Sequence, residues 1–587
     1  MKNFALILVA IAAFMSFSAR YATTTELDAI EKIEAEFRKY NGDTLKFWVQ
    51  FTDKKNSPYS VKNPEKYLSQ RAIERRKRLD IKITEEDLPV NPDYMHQVST
   101  AGVEMLNASR WLNGVSVQTS NQEHIKQIMA LPFVKEVKKV GVFNSIDNAN
   151  MDYLMEFFMS LGSEDSTQIS EGGTRSGFTK EYYGEGFHQL NMLRGMDMHN
   201  NGYTGEGIVI AILDGGFMNA NKIEAFKHLY ESNRILGTYD FVKRDSNVYD
   251  DNNHGMNVLS CMAAKTPGIM VGTAPGASYW LLRTEDANSE YPIEEHNWAT
   301  GAEFADSAGA DLINSSLGYT TFDDKSMNHK YSDLDGKTSP ATKAATIAAK
   351  RGLIICNAAG NEGDGEWRYI GAPADAEGII TVGGVDPTGA VASFSSLGPA
   401  SDGRLKPNVA AQATEAIVAS VSGNFYPSQG TSFATPILCG MVACLLQANP
   451  DKSPAEIIKA IEMSGNQYHH PDSVLGYGIP DFIKANRFLG GDKAFDYDKD
   501  QIESAPDEAM GDSLMLTVYL VKAQKVEVTL KNGSGKEVKS GVYPGNTSFN
   551  NFYRIQLEGL DKLGAGQYQL EVYINGKKKY TYNVKKG

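Results

Sequence analysis
The chain has 587 residues, is 42% hydrophobic and 22% charged, and carries a formal charge of −14. That composition is globular and long enough for several cores, which argues against a disordered chain. The acidic balance, with a pI near 5.3, argues against a nucleic-acid partner, because phosphate contacts need a basic face.

In chain order, residues 1–19 show one Lys, an apolar run from Phe4 to Phe17, and small residues Ser16, Ser18 and Ala19. This reads as a signal peptide, and no later stretch is long and apolar enough to span a membrane. The expectation is a secreted product, extracellular or on a bacterial cell surface, with no transmembrane segment. Residues 45–143 alternate short apolar strands (LKFWVQF, NGVSV, KEVKKV) with charged helical stretches, as in a small α+β domain. The cluster Arg75, Arg76, Lys77, Arg78 within it reads as a solvated helix face. Residues 144–182 are rich in Ser, Gly, Asp and Thr and read as an exposed linker with a maturation cut in or near Ser160–Gly186. Across 183–490 the strands become nearly continuous apolar runs (IVIAILD, SYWLLR, DLINS, LIICNAAG, IITVGG) separated by helical segments, which predicts a parallel α/β sheet. An acidic linker, 491–512, then leads to residues 513–587, whose period-two strands and turn signals predict a small β-sandwich. Cys261, Cys356, Cys439 and Cys444 all fall in apolar segments and read as buried thiols.

Amide hydrolysis needs a nucleophile, a base, a group that orients the base, and donors for the oxyanion. Asp214 ends the strand IVIAILD, at the carboxyl edge where open α/β sheets collect their sites. His254, in NNHGMNVLSCMAA, opens a helix, and Gly255 beside it allows close approach. Ser432 lies in GTSFATP at the start of an apolar helix, where free N–H groups favour negative charge. Pro436 is expected in the first turn of that helix. Asn361, in NAAGNEG after the strand LIICNAA, offers two uncharged N–H donors.

At these four motifs the sequence resembles the subtilisin-like serine proteases, whose chain order is Asp, His, oxyanion Asn, Ser. Lesser motifs extend the resemblance over about Tyr183–Leu489: GEGIVIAILDGG, DLINSSLG, SFSSLGP and RLKPNVAAQ. Two mild departures are Gly215-Gly216 where Thr-Gly is commoner, and Asn408 where Asp is usual. The resemblance implies a subtilisin-like α/β catalytic domain acting on polypeptide substrates through Ser432, His254 and Asp214, with Asn361 in the oxyanion hole. It also implies that Ser316, Leu317 and Gly318 pair with substrate backbone. No cofactor is required. Tyr319–Thr338, with Asp323, Asp324, Asp333 and Asp335, reads as an inserted rim loop or a structural calcium site. The amino-terminal domain is similar to an inhibitory propeptide, and the resemblance implies a self-processed zymogen with its own propeptide as intramolecular inhibitor; a substrate-recruiting module is the alternative. The carboxyl-terminal stretch is similar to type IX secretion sorting domains, with an accessory β-domain as the alternative. A catalytically silent adhesin or scaffold and a peptide ligase on the same fold are the competing functions.

Overall fold
The computed structural model describes residues 24–143, 178–490, 500–504, 509–511, 513–520, 525–543 and 552–586. The stretch expected to be a signal peptide, most of the first linker and the start of the acidic one lie outside the described residues.

The amino-terminal unit contains α1 (Thr24–Lys39), β1 (Leu45–Phe51), α2 (Gln70–Arg78), α3 (Pro92–Ser99), β2 (Glu104–Ser109), β3 (Gly114–Thr119), α4 (Gln122–Met129) and β4 (Val134–Val142). Its antiparallel sheet runs in the order β2-β3-β1-β4. Helix α1 begins well before residue 45 and packs its Ile33 and Phe37 into the same core as Phe47, Val49, Val115, Val117, Ile125 and Ile128. Because a strand alternates faces, Lys46 and Trp48 of β1 point the other way. Both are buried. Trp48 stacks on His296 of the next unit, with ring centroids 4.3 Å apart, and clusters with Ile293.

That next unit is built on seven parallel strands: β5 (Val209–Asp214), β6 (Ile235–Asp240), β7 (Ser278–Arg283), β8 (Leu312–Ser315), β9 (Ile354–Ala358), β10 (Ile380–Val385) and β11 (Val409–Gln412). Between and after them come α5 (His254–Ala263), α6 (Ile293–Ala308), α7 (Pro340–Lys350), α8 (Thr431–Ala448), α9 (Pro454–Ser464) and α10 (Phe482–Gly490). The sheet order is β11-β10-β9-β8-β5-β7-β6. Every residue of β5 is buried. Ile210 and Ile212 face the core shared with α5 and α8, whereas Val209, Ala211 and Leu213 face the core under α6 and α7. Two-sided burial is why these strands read as apolar runs. Strand β5 has β7 on one side and β8 on the other, so its carboxyl end is where the strand order reverses and a crevice opens. One helix among the described residues, α8, is long and apolar enough to cross a membrane, and it is buried in the core. All four cysteines are free and buried.

The carboxyl-terminal strands form two mainly antiparallel sheets, the first from Gln501–Ser504, Ser513–Tyr519 and Phe552–Glu558. Alternate residues of both sheets, among them Leu514, Leu516, Val528, Leu530, Leu570 and Val572, meet in one core. This is the expected sandwich.

The structure corrects the reading of the Arg75–Arg78 cluster. Arg75 and Arg76 of α2 are 3% and 1% exposed, not solvated. Their guanidinium groups reach Asp306, at the end of α6.

Candidate active site
Asp214, fully buried at the end of β5, accepts a hydrogen bond on Oδ1 from its neighbour Gly215 N at 2.8 Å. The same oxygen lies 2.8 Å from His254 Nδ1. His254 is the first residue of α5, and its N–H donates to Asn252 Oδ1 at 2.7 Å. A Cβ on Gly255 would fall 2.6 Å from Gly216 O and 2.9 Å from Asp214 Cβ. Glycine there is what lets the helix seat its imidazole on the strand end. Burial disfavours the charged ring, but the Asp214 carboxylate outweighs it, so the His254 pKa lies above its ordinary 6.5.

Ser432 is the second residue of α8, so its N–H is one of the free donors of an 18-residue helix. Its hydroxyl donates to Ser316 O at 3.3 Å, and the Ser316 hydroxyl donates back to Ser432 O at 2.8 Å. Among the hydrogen bonds of the described residues none joins Ser432 to His254, though the ring of Phe433, next in sequence, lies 6.0 Å from the imidazole. Catalytic hydrogen bonds of this kind commonly close only when substrate binds. Pro436 departs from expectation: it is the sixth residue of α8, beyond the first turn. Having no N–H, it leaves the carbonyl four residues earlier, that of Ser432, without its helical donor. The Ser316 hydroxyl takes that place.

Asn361 Oδ1 accepts from Thr431 N at 2.9 Å and from Thr431 Oγ1 at 3.0 Å. With the carbonyl so engaged, the amide turns its Nδ2 donors away from Thr431. Gly430 has φ +143°, and a Cβ built on it would lie 3.7 Å from both Asn361 Nδ2 and Ser432 N. The two donors therefore flank one small space that a side chain at 430 would crowd. Ser316 is buried, Leu317 half-buried against the α6 side of the core, and Gly318 exposed. Asn357 Nδ2 donates to Leu317 O at 3.3 Å, and Tyr319 is bridged to Ala372.

Several neighbours of the site were not singled out in the sequence. Arg283, paired with Asp214 across the strands, donates to Gly215 O at 3.2 Å and is itself held by Asp240 and Asp251. The Tyr319 hydroxyl donates to Glu285 Oε1 at 2.7 Å, and Thr284 Oγ1 to the same oxygen at 2.8 Å. Burial pushes the Glu285 carboxyl up to about 8 and Glu290 up to about 7. The available signal was the TED run following strand SYWLLR, three polar residues leaving the strand beside β5.

The carboxylates of Tyr319–Thr338 have partners of their own. Asp324 accepts from Lys39 Nζ, Tyr40 Oη and Lys139 Nζ of the amino-terminal unit, Asp333 from Lys330 N, and Asp335 from Lys337 N. Among the described residues no group of three or more His, Cys, Asp or Glu is gathered so that it could hold a metal ion.

A buried carboxylate on an imidazole, a hydroxyl at a helix start and an amide keyed to that helix, all at one edge of a parallel sheet, fit a serine peptidase of α/β type. Residues 205–478 match the subtilase family, peptidase S8, and residues 46–152 match the peptidase S8 propeptide domain of Bacteroidota. The chain therefore carries a subtilase domain preceded by a propeptide domain of that family, and it is a subtilisin-like serine peptidase. Subtilisin NAT of Bacillus subtilis subsp. natto is 28% identical over 294 residues, 49% of this chain and 68% of that protein. Serine protease AprX of Bacillus subtilis is 29% identical over 307 residues, 47% of this chain and 65% of that protein. The crystal structure of MycP1 from Mycobacterium smegmatis is 21% identical, with a TM-score of 0.40 over 51% of this chain and 84% of that one.

Proposed function
We propose that the chain is a secreted serine endopeptidase made as a self-processed zymogen, in which Ser432, His254 and Asp214 hydrolyse peptide bonds in polypeptides. The observation that carries this reading is the 2.8 Å contact of His254 Nδ1 with buried Asp214 beside the Ser432 helix start. Asp214 holds the proton on Nδ1, which leaves Nε2 free to accept. Ser432 Oγ, turned from Ser316 to His254, attacks the scissile carbonyl carbon as its proton passes to Nε2. Asn361 Nδ2 and Ser432 N hold the oxyanion. His254 then returns the proton to the leaving amine, and water cleaves the acyl-enzyme by the same route. Ser316–Gly318 pairs with the substrate backbone, for which the exposed, side-chain-free Gly318 leaves room. Each proton has a residue of this chain to carry it, so the steps need no cofactor.

The amino-terminal domain acts as the intramolecular inhibitor. The maturation cut falls ahead of Phe178, because Phe178–Gly186 is tied down: Phe178 N donates to Asn200 Oδ1 at 2.5 Å, and Glu185 N to Ile269 O at 2.8 Å. The test compares the chain from Thr24, as wild type and as Ser432→Ala, by intact mass and casein cleavage over time. The wild type is expected to shed its amino-terminal domain and cleave casein while the variant does neither. If both stay intact and inert, and a fluorophosphonate fails to label Ser432 in the wild type, the chain is a silent scaffold. If amines rather than water resolve the acyl-enzyme, it is a ligase.

A further inference from the structure
Asp214 and His254 are 40 residues apart in the chain and meet through one carboxylate oxygen. Asp214 Oδ1 takes both His254 Nδ1 and Gly215 N, whereas Oδ2, also buried, has no hydrogen bond among the described residues. With glycine at 215, no side chain there can reach it. A carboxylate anchored by one oxygen can turn, so its aim at the imidazole depends on how firmly the two backbones that carry the pair are held together.

One side chain grips both. Arg283, 2% exposed, ends β7 in register with Asp214 of β5 on one side and Asp240 of β6 on the other. Its Nε donates to Gly215 O at 3.2 Å and to Glu285 O at 3.1 Å. Its Nη1 donates to Asp240 Oδ2 at 2.8 Å and to Asp251 Oδ2 at 3.1 Å. The two aspartates are fixed in turn: Asp240 Oδ1 accepts from Val242 N and Lys243 N at 2.8 and 2.9 Å, and Lys243 Nζ donates to Asp251 Oδ2 at 3.0 Å. Asp251 precedes Asn252, whose Oδ1 accepts from His254 N at 2.7 Å and whose carbonyl accepts from Met218 N at 2.9 Å. The two segments fit closely. Gly216 has φ +147°, and a Cβ there would fall 2.7 Å from Asn252 O. Arg283 and Lys243 against Asp240 and Asp251 leave the cluster without net charge, so it acts on His254 through geometry more than through a field. Desolvation offsets much of what such buried pairs gain, which also points to geometry rather than stability as their use.

We propose that Arg283 is a positioning residue of the peptidase: by holding the Gly215 carbonyl and the Asp251 carboxylate with one guanidinium, it fixes the strand end of Asp214 against the loop that delivers His254. The inference rests on the peptidase reading for what the pair does, not for how the pair is held. Lysine cannot replace this arginine, because an ammonium keeps the charge but lacks the planar fork that reaches a carbonyl and two carboxylates together.

The test compares wild type, Arg283→Lys, Asp251→Ala and the double variant, each matured by a trace of wild-type enzyme, with Ser432→Ala treated alike as the blank. Per fluorophosphonate-titrated site, Arg283→Lys is expected to lower kcat about 10- to 10²-fold, the scale of a misplaced reacting group, with KM nearly unchanged. Because lysine keeps the charge, a downward move of the pH midpoint of kcat/KM in this variant reports a looser Asp214–His254 contact rather than a lost cation. Asp251→Ala should lower kcat too, and the double variant should lose much less than the product of the two, as expected for one shared tie. In the Ser432→Ala chain, the low-field proton resonance of His254 Nδ1–H on Asp214 should broaden or move upfield with either substitution. Circular dichroism and melting in that background separate a lost brace from lost folding, and the partly exposed Asp251 keeps the test open if Arg283→Lys fails to fold. A kcat within threefold of the wild type in both variants, a loss confined to KM, or a resonance that neither substitution alters would overturn the proposal. A wild type inert to casein and to fluorophosphonate would sink the peptidase reading, and the resonance would still decide how the pair is held.

Discussion
Asn361 does two separable things, and a pair of substitutions pulls them apart. Its Oδ1 accepts from Thr431 N and Oγ1 at 2.9 and 3.0 Å, which ties the β9 loop to the first turn of α8. Its Nδ2 donors face the space beside Ser432 N. Asn361→Ala removes both functions. The loss of two hydrogen bonds should cost about 2 kcal/mol, a few degrees of melting temperature. The lost donor should cost about 10²- to 10³-fold in kcat, a size known for such a donor from subtilisin itself. Asn361→Asp keeps the acceptor and places a carboxylate at a helix amino terminus, where charge is favoured. Its stability should match the wild type, while a negative oxygen against the oxyanion lowers kcat further than alanine does. The assay is kcat and KM on a peptide p-nitroanilide, with each variant matured by a trace of wild-type enzyme, and thermal melting in the Ser432→Ala background. An Asp variant within tenfold of the wild-type kcat, or one that melts as low as the Ala variant, would refute the assignment of the two faces.

The remaining predictions concern protons. In the proposed mechanism His254 must be neutral to accept from Ser432, and Asp214 raises its pKa above 6.5 against the pull of burial, so kcat/KM should fall as pH drops through a midpoint above 6.5. Asp214→Asn should move that midpoint down and lower kcat by about 10⁴-fold; an unmoved midpoint in the pH–rate profile would contradict the pairing. Burial raises Glu285 from 4.5 to about 8, so between those values the folded state binds more protons than the unfolded one and stability declines as pH rises. Glu285→Gln can still accept from Tyr319 and Thr284. In the Ser432→Ala background it should flatten the decline and melt higher than its parent at pH 9, and an equal pH dependence in both would show that Glu285 does not carry it.

Much of the site was legible because each part is local. Asp214 and His254 stand at the end of an element beside a glycine, Asn361 follows Gly360 just past β9, and Ser432 is the second residue of α8, two residues after Gly430, while the apolar runs beside them announce strands buried on both faces. What stayed hidden depends on partners distant in the chain. Nothing near Pro436 says that the carbonyl it frees will be taken by Ser316, 116 residues earlier than Ser432. Nor does TED declare that its glutamate will meet Tyr319, 34 residues on. The acidic stretch around Asp324 looked like a rim loop or an ion site for the same reason. The Lys39 and Lys139 ammonium groups that claim it lie 285 and 185 residues away.

The arginine cluster is the clearest case, and a signal for it did exist elsewhere in the same domain. A sheet with one face in solvent should alternate apolar and polar residues. Strand β1, LKFWVQF, instead sets Phe47 and Val49 on one face and Trp48 on the other. A large aromatic on the second face means that face is covered too, and a domain of about one hundred residues has little chain left to cover it. The covering must come from the rest of the molecule. Once the outer face is an interface, charges on neighbouring elements such as α2 can no longer be presumed solvated. Arg75 and Arg76 then become groups that need anions, and Asp306, 230 residues from Arg76, supplies one. The physics that makes a buried arginine costly alone makes the pair specific, and so the two-sided strand and the basic helix are one statement about what the domain binds.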